Sequence, residues 1–169
     1  MISINNKIED ILYENFIKHN GISLLVKLLN NLPIKQTETY KIYLKIIHLI
    51  IDYKKNRDND LTEFWVIIFK LMDKFENNSD IMIYNLDAIK KFSSLNKFKE
   101  LVNQEFLDLI IKIISNTEFN KVATIGLQIL DIIVKIGQVK EMIRNTKPLI
   151  FIVKLLTRFI NDEILSYVR

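Results

Sequence analysis

A repeat of about 42 residues runs through the chain and limits its fold more than any other feature. Four segments share one pattern, in which two apolar residues, a lysine and two more apolar residues follow one another. On an α-helix, the positions five and two before the lysine, and one and two after it, fall on one side. Each segment is therefore predicted to be an amphipathic helix with a broad apolar face. The four lysines, separated by 43, 42 and 42 residues, are Lys27, Lys70, Lys112 and Lys154.

The positions around these lysines predict which side chains are buried and which are exposed. The residue five positions before each lysine is apolar or aromatic, and we expect it in the core. The lysine itself is expected on the helix surface, where its stem covers apolar neighbours and its ammonium group reaches water. A row of partner-contacting lysines is the alternative. The predicted core residues of this column are Ile22, Trp65, Leu107 and Leu149.

The composition supports an all-helical chain. Its 169 residues include three Gly, two Pro and no Cys. A β-sandwich or an α/β fold of this length would need more turn-forming Gly and Pro. Without cysteine, a disulfide scaffold and a cysteine zinc site are excluded. Because 49% of the residues are apolar, the chain can bury a core large enough to exclude intrinsic disorder.

Helical segments are predicted on both sides of each lysine-centred helix, so that the unit is a short, a middle and a long helix. Predicted N-caps of the long helices are Thr37, Ser79 and either Asn120 or Thr117. Small residues at Ala88, Ala123 and Gly126 are expected to let helices approach closely. The predicted short helices cover 8–18, 98–102 and 139–143, and the predicted long helices cover 38–54, 80–92 and 120–136.

This three-helix unit resembles the armadillo repeat. Residues 20–29, Asn-Gly-Ile-Ser-Leu-Leu-Val-Lys-Leu-Leu, are similar to that family's middle helix, a Gly turn followed by Ile-Pro-x-Leu-Val-x-Leu-Leu. Residues 122–133 resemble the family's third-helix pattern, Val-x-x-x-Ala-x-x-Ala-Leu-x-Asn-Leu. The resemblance covers residues 8–169. Only the first repeat has the turn glycine, and the related two-helix HEAT repeat is the alternative, above all for residues 59–95.

The resemblance implies an all-α fold, a right-handed α-solenoid of three-helix repeats that stack because one unit cannot bury its apolar face alone. It implies one domain over residues 1–169. Residues 161–169 have the pattern of the start of a further long helix, so the chain is expected to be a fragment of a longer array. A helix end covered by a partner is the alternative. The predicted repeats are 8–54, 55–95, 96–137 and an incomplete 138–169.

The same resemblance implies a protein-binding surface on the long helices. In the armadillo family, the groove-facing positions of the third helix are a Trp and, four residues later, an Asn that clamps the backbone of an extended peptide. None of the three aligned repeats has this pair, which argues against a basic cargo bound as in nuclear import. When the repeats are aligned on the lysines and a shift of one residue is allowed, these positions hold Leu44 and His48, Asp87 and Lys91, and Gln128 and Ile132.

The sequence contains no motif typical of catalysis or metal binding. It lacks His-Glu-x-x-His, a phosphate-binding Gly-rich loop and Gly-x-Ser-x-Gly. His19 precedes the Asn-Gly pair and is predicted at a helix C-terminus, where a cation favours the helix dipole. His48 is predicted to be either a hydrogen-bonded, half-buried histidine or a groove residue. We therefore expect no enzyme activity, no cofactor, no metal and no small-molecule substrate.

Charge and hydropathy bear on partners and location. The net charge of +4 comes mainly from residues 121–169, which hold eight basic and four acidic residues. These basic residues are scattered, whereas nucleic-acid binders usually carry a dense basic stripe. No apolar run approaches the roughly 18 residues that a spanning helix needs, and no secretory signal is found. A cytoplasmic or nuclear protein without a membrane span is expected.

The function predicted from the sequence is a non-catalytic scaffold or adaptor that binds a peptide or helix of a partner protein along the concave face. The alternative is a structural assembly segment of a larger helical-repeat protein. A third interpretation is a nucleic-acid binder that uses the basic C-terminal third. The step from fold to function is an analogy, because one fold hosts many functions.

Overall fold

The computed structural model describes residues 11–33, 35–53, 61–95 and 97–136, and all regular structure in these ranges is α-helical. This confirms the predicted all-α class for the described part. No helix there is both long enough and apolar enough to cross a membrane. The predicted helix at 139–143, Leu149, Lys154 and the incomplete fourth repeat lie outside the described residues. The helices are α1 (residues 11–18 of the described part), α2 (Gly21–Asn31), α3 (Thr37–Asp52), α4 (Thr62–Lys74), α5 (Ser79–Phe92), α6 (Phe98–Leu101), α7 (Gln104–Asn116) and α8 (Asn120–Val134).

Helix α5 lies between the other two long helices, packing against α3 and against α8. Each long helix also packs against the middle helix that precedes it, in the pairs α2 with α3, α4 with α5 and α7 with α8. Helices α2 and α4 are in contact as well. The apolar sides of these helices join in one core, which includes the fully buried Tyr40, Phe64, Phe92 and Phe106.

Trp65 lies in the middle of this core, as the repeat pattern predicted. Its side chain is 7% exposed. The centre of its ring system is 4.6 Å from that of Phe106, 5.6 Å from Phe92 and 5.8 Å from Phe98. Aromatic contacts at these distances add to the stability that burial provides. Trp65 thereby connects α4 with α5, α6 and α7.

At two positions a neighbouring side chain lies so close to the backbone that glycine is required. At Gly21, a Cβ atom would lie 2.4 Å from the ring of Phe16. At Gly126, as predicted, the small residue lets helices approach, because a Cβ would lie 2.5 Å from Cγ1 of Ile114 on α7. The left-handed conformation of the turn before α2 belongs to Asn20, whose φ is 56°, and Asn is one of the residues that tolerates it.

The N-caps differ from the prediction by one residue. Helix α5 is capped by Asn78, whose Oδ1 accepts a hydrogen bond from the Ile81 amide at 3.1 Å, and Ser79 is the first helical residue. Thr37 and Asn120 are also first residues of their helices, and Thr117 Oγ1 accepts from the Phe119 amide. The Asn side chain reaches the amide three residues ahead, which is the usual N-cap geometry.

Asn85 on α5 is a fully buried polar residue in the core. Its side chain is 0% exposed, and among the described residues neither its amide nitrogen nor its amide oxygen has a hydrogen-bond partner. A buried amide without partners destabilises the folded state by about 1–3 kcal/mol.

Replacing Asn85 with Leu is expected to raise the free energy of unfolding by about 1–2 kcal/mol, because a side chain of similar size takes the place of an unsatisfied amide. Urea unfolding at neutral pH measures the change. Asn78→Leu is the matched control and should lower the free energy of unfolding by about 1 kcal/mol, because it removes a cap. A destabilised Asn85→Leu variant would contradict the assignment of Asn85 as unsatisfied.

Candidate functional site

The spacing of the long helices corrects the predicted alignment of the first repeat by one residue. The first residues of α3, α5 and α8 are 42 and 41 residues apart. In this register Leu44 matches Leu86 and Leu127, and all three are buried. Because one residue rotates a position by about 100° around the helix, the shift places Leu44 in the core instead of on the surface. Leu44 is therefore not accessible to a partner.

The corrected positions of the first repeat are Lys45 and Leu49. Lys45 matches Asp87 and Gln128, and Leu49 matches Lys91 and Ile132. Lys45 and Leu49 are exposed, whereas Asp87, Lys91, Gln128 and Ile132 are half-buried. His48, one position before Leu49, is also half-buried.

Polar side chains line the junction of α3 and α5, and we name them the polar seam. Its members occupy the same relative positions in both helices, at 0, +4, +7 and +11 from the first. Each member of α3 is 39 residues before its counterpart on α5. Since the order of the pairs is the same along both helices, α3 and α5 are parallel. The polar seam consists of Lys41, Lys45, His48 and Asp52 on α3, and Asp80, Tyr84, Asp87 and Lys91 on α5.

Ion pairs lie near the two ends of the seam. Lys41 Nζ is 2.7 Å from Asp80 Oδ2 and 2.9 Å from Glu38 Oε1. The hydrogen bond to Asp80 is the main cause that raises the pKa of Lys41, and the same bond lowers the pKa of Asp80. At the other end, Lys91 donates to Asp52. These pairs connect α3 with α5 near both ends of the seam.

His48 and Tyr84 form the middle of the seam. His48 Nε2 is 2.8 Å from the Tyr84 carbonyl oxygen, so Nε2 carries a proton and donates it to that oxygen. Lys45 Nζ lies over the Tyr84 ring, 5.8 Å from its centroid, a cation–π contact. Burial lowers the pKa of His48, and the charge of Lys91 acts in the same direction. The bond to Tyr84 and the carboxylates of Asp87 and Asp52 oppose this shift. The predicted hydrogen-bonded, half-buried state of His48 is confirmed.

The surface continues from α5 to α8. Lys90 Nζ is 2.7 Å from Gln128 Oε1, which connects the two helices. The charge of Lys121 on α8 also contributes to the lowered pKa of Asp80. Ile132 packs against the edge of the core. We call the polar seam together with Leu49, Gln128 and Ile132 the long-helix face.

Sequence analysis found His48, Asp87, Lys91, Gln128 and Ile132, but it missed five members of the seam. The missed residues contact residues 36 to 39 positions away, in another helix. The signal in the sequence is the recurrence of polar residues at 0, +4, +7 and +11 in two consecutive long helices. These five residues are Lys41, Lys45, Asp52, Asp80 and Tyr84.

His19 lies apart from this face. It is exposed and follows the last helical residue of α1, as predicted. Within the described ranges, no group of three or more His, Asp and Glu side chains is arranged to hold a metal ion.

Comparison with known proteins does not assign the chain to a family. No family model, no curated protein and no solved structure gives a significant match. The resemblance to the armadillo repeat rests on the sequence patterns alone and stays a prediction.

Because the folded state lowers the pKa of His48, it binds fewer protons than the unfolded chain in mildly acidic solution. The free energy of unfolding is therefore expected to fall as the pH drops below about 6.5, the ordinary pKa of histidine, and to level off below the folded-state value. Urea unfolding at about pH 7.5 and pH 5 measures this loss.

His48→Gln should remove this part of the pH dependence, because Gln can still donate to the Tyr84 carbonyl without titrating. His19→Gln is the control and should keep it. An unchanged pH dependence in His48→Gln would contradict the proposed environment of His48.

Proposed function

We propose that the chain is a non-catalytic protein-interaction scaffold of armadillo-like repeats stacked as a right-handed α-solenoid. A peptide or helix of a partner protein then lies along the long-helix face. The observation that carries the proposal is the packing of consecutive long helices, α3 against α5 and α5 against α8. Helices α3 and α5 are parallel, and their polar residues follow the same spacing. Parallel packing of equivalent helices is what a stack of similar units produces.

In the polar seam, the lysine side chains of the ion pairs are less exposed than the carboxylates that they contact. The side chains of Lys41 and Lys91 are 19% and 33% exposed, while those of Asp80 and Asp52 are 63% and 53% exposed. Each ionised carboxylate can accept more hydrogen bonds than its lysine supplies. The outward groups are therefore acceptors that suit the N–H, lysine or arginine donors of a partner.

The ion pairs also prepare this face for binding. Lys41 contacts two carboxylates and Lys91 contacts one, so their side chains are already ordered before a partner arrives. Ordering a rotamer-rich side chain on binding costs roughly 0.5–1.5 kcal/mol, and a pre-ordered side chain avoids most of that cost. Leu49, 71% exposed at the edge of α3, adds apolar contact area.

A structural assembly segment remains a second candidate, because the outer side of α3 carries exposed apolar side chains. Ile42 and Leu49 are two helical turns apart on this helix and are 57% and 71% exposed. Apolar side chains with this spacing suit packing of a further helix from another unit. For the nucleic-acid interpretation, residues 137–169 lie outside the described part, and Lys135 of α8 is paired with Asp131 at 2.7 Å.

The test begins with a partner captured by the full chain from an extract of its own cells, identified and then purified. Calorimetric titration compares the wild type with the double variant Asp87→Lys, Lys91→Glu. We expect binding to weaken at least about tenfold, equivalent to 1.4 kcal/mol, because the charges of two neighbouring residues of the long-helix face, Asp87 and Lys91, are reversed. Circular dichroism checks that the variant is folded.

The matched control is Asp108→Lys with Lys112→Glu. This pair has the same spacing on α7, and the Lys112 substitution also breaks an ion pair between helices, with Asp73 of α4. It should leave the affinity within about twofold of wild type. Equal effects of the two double variants would contradict the proposed face. Concentration-dependent self-association in sedimentation, lost in Leu49→Lys, would favour the assembly segment.

A further inference from the structure

A groove of about 540 Å³ lies between α2 and α4, separate from the long-helix face. Its lining combines apolar and charged side chains. Ile67 at 2% exposure and Val66 at 46% exposure supply apolar surface, and Lys27, Lys70 and Glu63 supply the charges. From Ser23 to Asn30, the α2 side of the groove spans about 10 Å, or two helical turns.

The two lysines of the groove lie at the same level. Lys74, the last residue of α4, places Nζ 3.4 Å from the carbonyl oxygen of Leu32, which directly follows α2. The C-terminal ends of α2 and α4 are therefore side by side. Lys27 and Lys70 are each four residues before the end of their helix. Two ammonium groups thus stand at one end of the groove.

No carboxylate of the described residues neutralises either lysine. Within the described part of the chain, Lys27 and Lys70 form no ion pair and no hydrogen bond, and both are exposed. The equivalent lysine of the next unit differs, because Lys112 Nζ is 3.0 Å from Glu76 Oε2 and 3.6 Å from Asp73 Oδ1. At equivalent sequence positions, Lys112 therefore forms ion pairs within the chain, whereas Lys27 and Lys70 form none with the described residues.

The reason for this difference can be read in the sequence. Lys27 and Lys70 are 43 residues apart, and in this register Asp73 corresponds to Asn30 and Glu76 corresponds to Pro33. The two carboxylates that hold Lys112 are thus replaced by an amide and a proline beside Lys70. Asn30 lines the groove as well. The positive charge at this end is left for an external carboxylate.

The other end of the groove has the opposite sign. Glu63 lies in the first turn of α4, about 10 Å along the helix from Lys70. A groove with apolar walls, two cations at one end and a carboxylate at the other fits a short segment with a defined direction. Nucleic acid fits less well, because the Glu63 carboxylate would repel phosphates and none of the described lining residues has an aromatic ring for base stacking.

We propose that the α2–α4 groove is a second docking site, for a short protein segment in which apolar side chains are followed by carboxylates. The apolar side chains contact Val66 and Ile67. The carboxylates of the partner form ion pairs with Lys27 and Lys70. These ion pairs correspond to those that Lys112 makes with carboxylates of its own chain. This site is independent of the long-helix face.

The test uses two fluorescent synthetic peptides with the same apolar residues, one followed by Asp and Glu and the other by two Lys. Fluorescence anisotropy measures their binding to the full chain at moderate salt. The acidic peptide is expected to bind at least about tenfold more tightly than the basic one. Lys27→Glu with Lys70→Glu should abolish or reverse that preference.

Two controls separate this site from other surfaces. Lys112→Glu changes the equivalent lysine outside the groove and should keep the preference. Asp87→Lys with Lys91→Glu should also keep the preference for the acidic peptide. The result at the groove is therefore independent of whether the long-helix face binds a partner. Amide chemical-shift changes on adding the acidic peptide should fall on α2 and α4.

Three results would overturn the proposal. One is the absence of binding or of any preference between the two peptides. Another is a preference that survives Lys27→Glu with Lys70→Glu. A third is displacement of the acidic peptide by an oligonucleotide that binds more tightly and depends on the same two lysines, which would make the groove a nucleic-acid site.

Discussion

Burial of α5 between α3 and α8 is the interaction on which the rest of the structure depends. Half of the residues of α5 are buried, among them Ile81, Leu86, Ala88 and Phe92. A single helical unit would leave much of this surface in water, so the neighbouring units are needed for stability. Close approach at Gly126 brings α7 and α8 together on one side. On the other side, parallel packing of α3 against α5 brings polar side chains 39 residues apart into contact and creates the seam.

The sequence predicted the elements better than the contacts between them. The apolar pattern of the long helices predicted their ends within two residues of the observed ones, because amphipathic periodicity is a local property. Leu44 shows the limit, since one residue of slack in a repeat alignment moves a side chain from surface to core. The partners of Lys41 and Lys91 could not be deduced from any one segment, because each lies on a different helix. The burial of Asn85 was not predicted from the sequence either.

The two proposed docking surfaces differ in whether the described part of the protein itself supplies a carboxylate next to each lysine. In the seam, lysines are held by carboxylates of the adjacent long helix, and the outward oxygens remain available as acceptors. In the α2–α4 groove, replacement of Asp73 and Glu76 by Asn30 and Pro33 leaves two cations without an internal partner. We propose that small sequence differences between the repeats give each junction its own chemistry while the helical framework stays the same.

The parallel register of α3 and α5 is the central claim, and the absence of cysteine from the chain makes cross-linking a direct test of it. Pairs of cysteines at Lys41 and Asp80, or at Asp52 and Lys91, should both be joined by a short bismaleimide. A pair at Lys41 and Lys91 should not, because eleven residues separate the two levels by about 16 Å along the helix axis. Cross-linking of the Lys41 and Lys91 pair, with failure of the other two, would show antiparallel packing and contradict the stacked-repeat account.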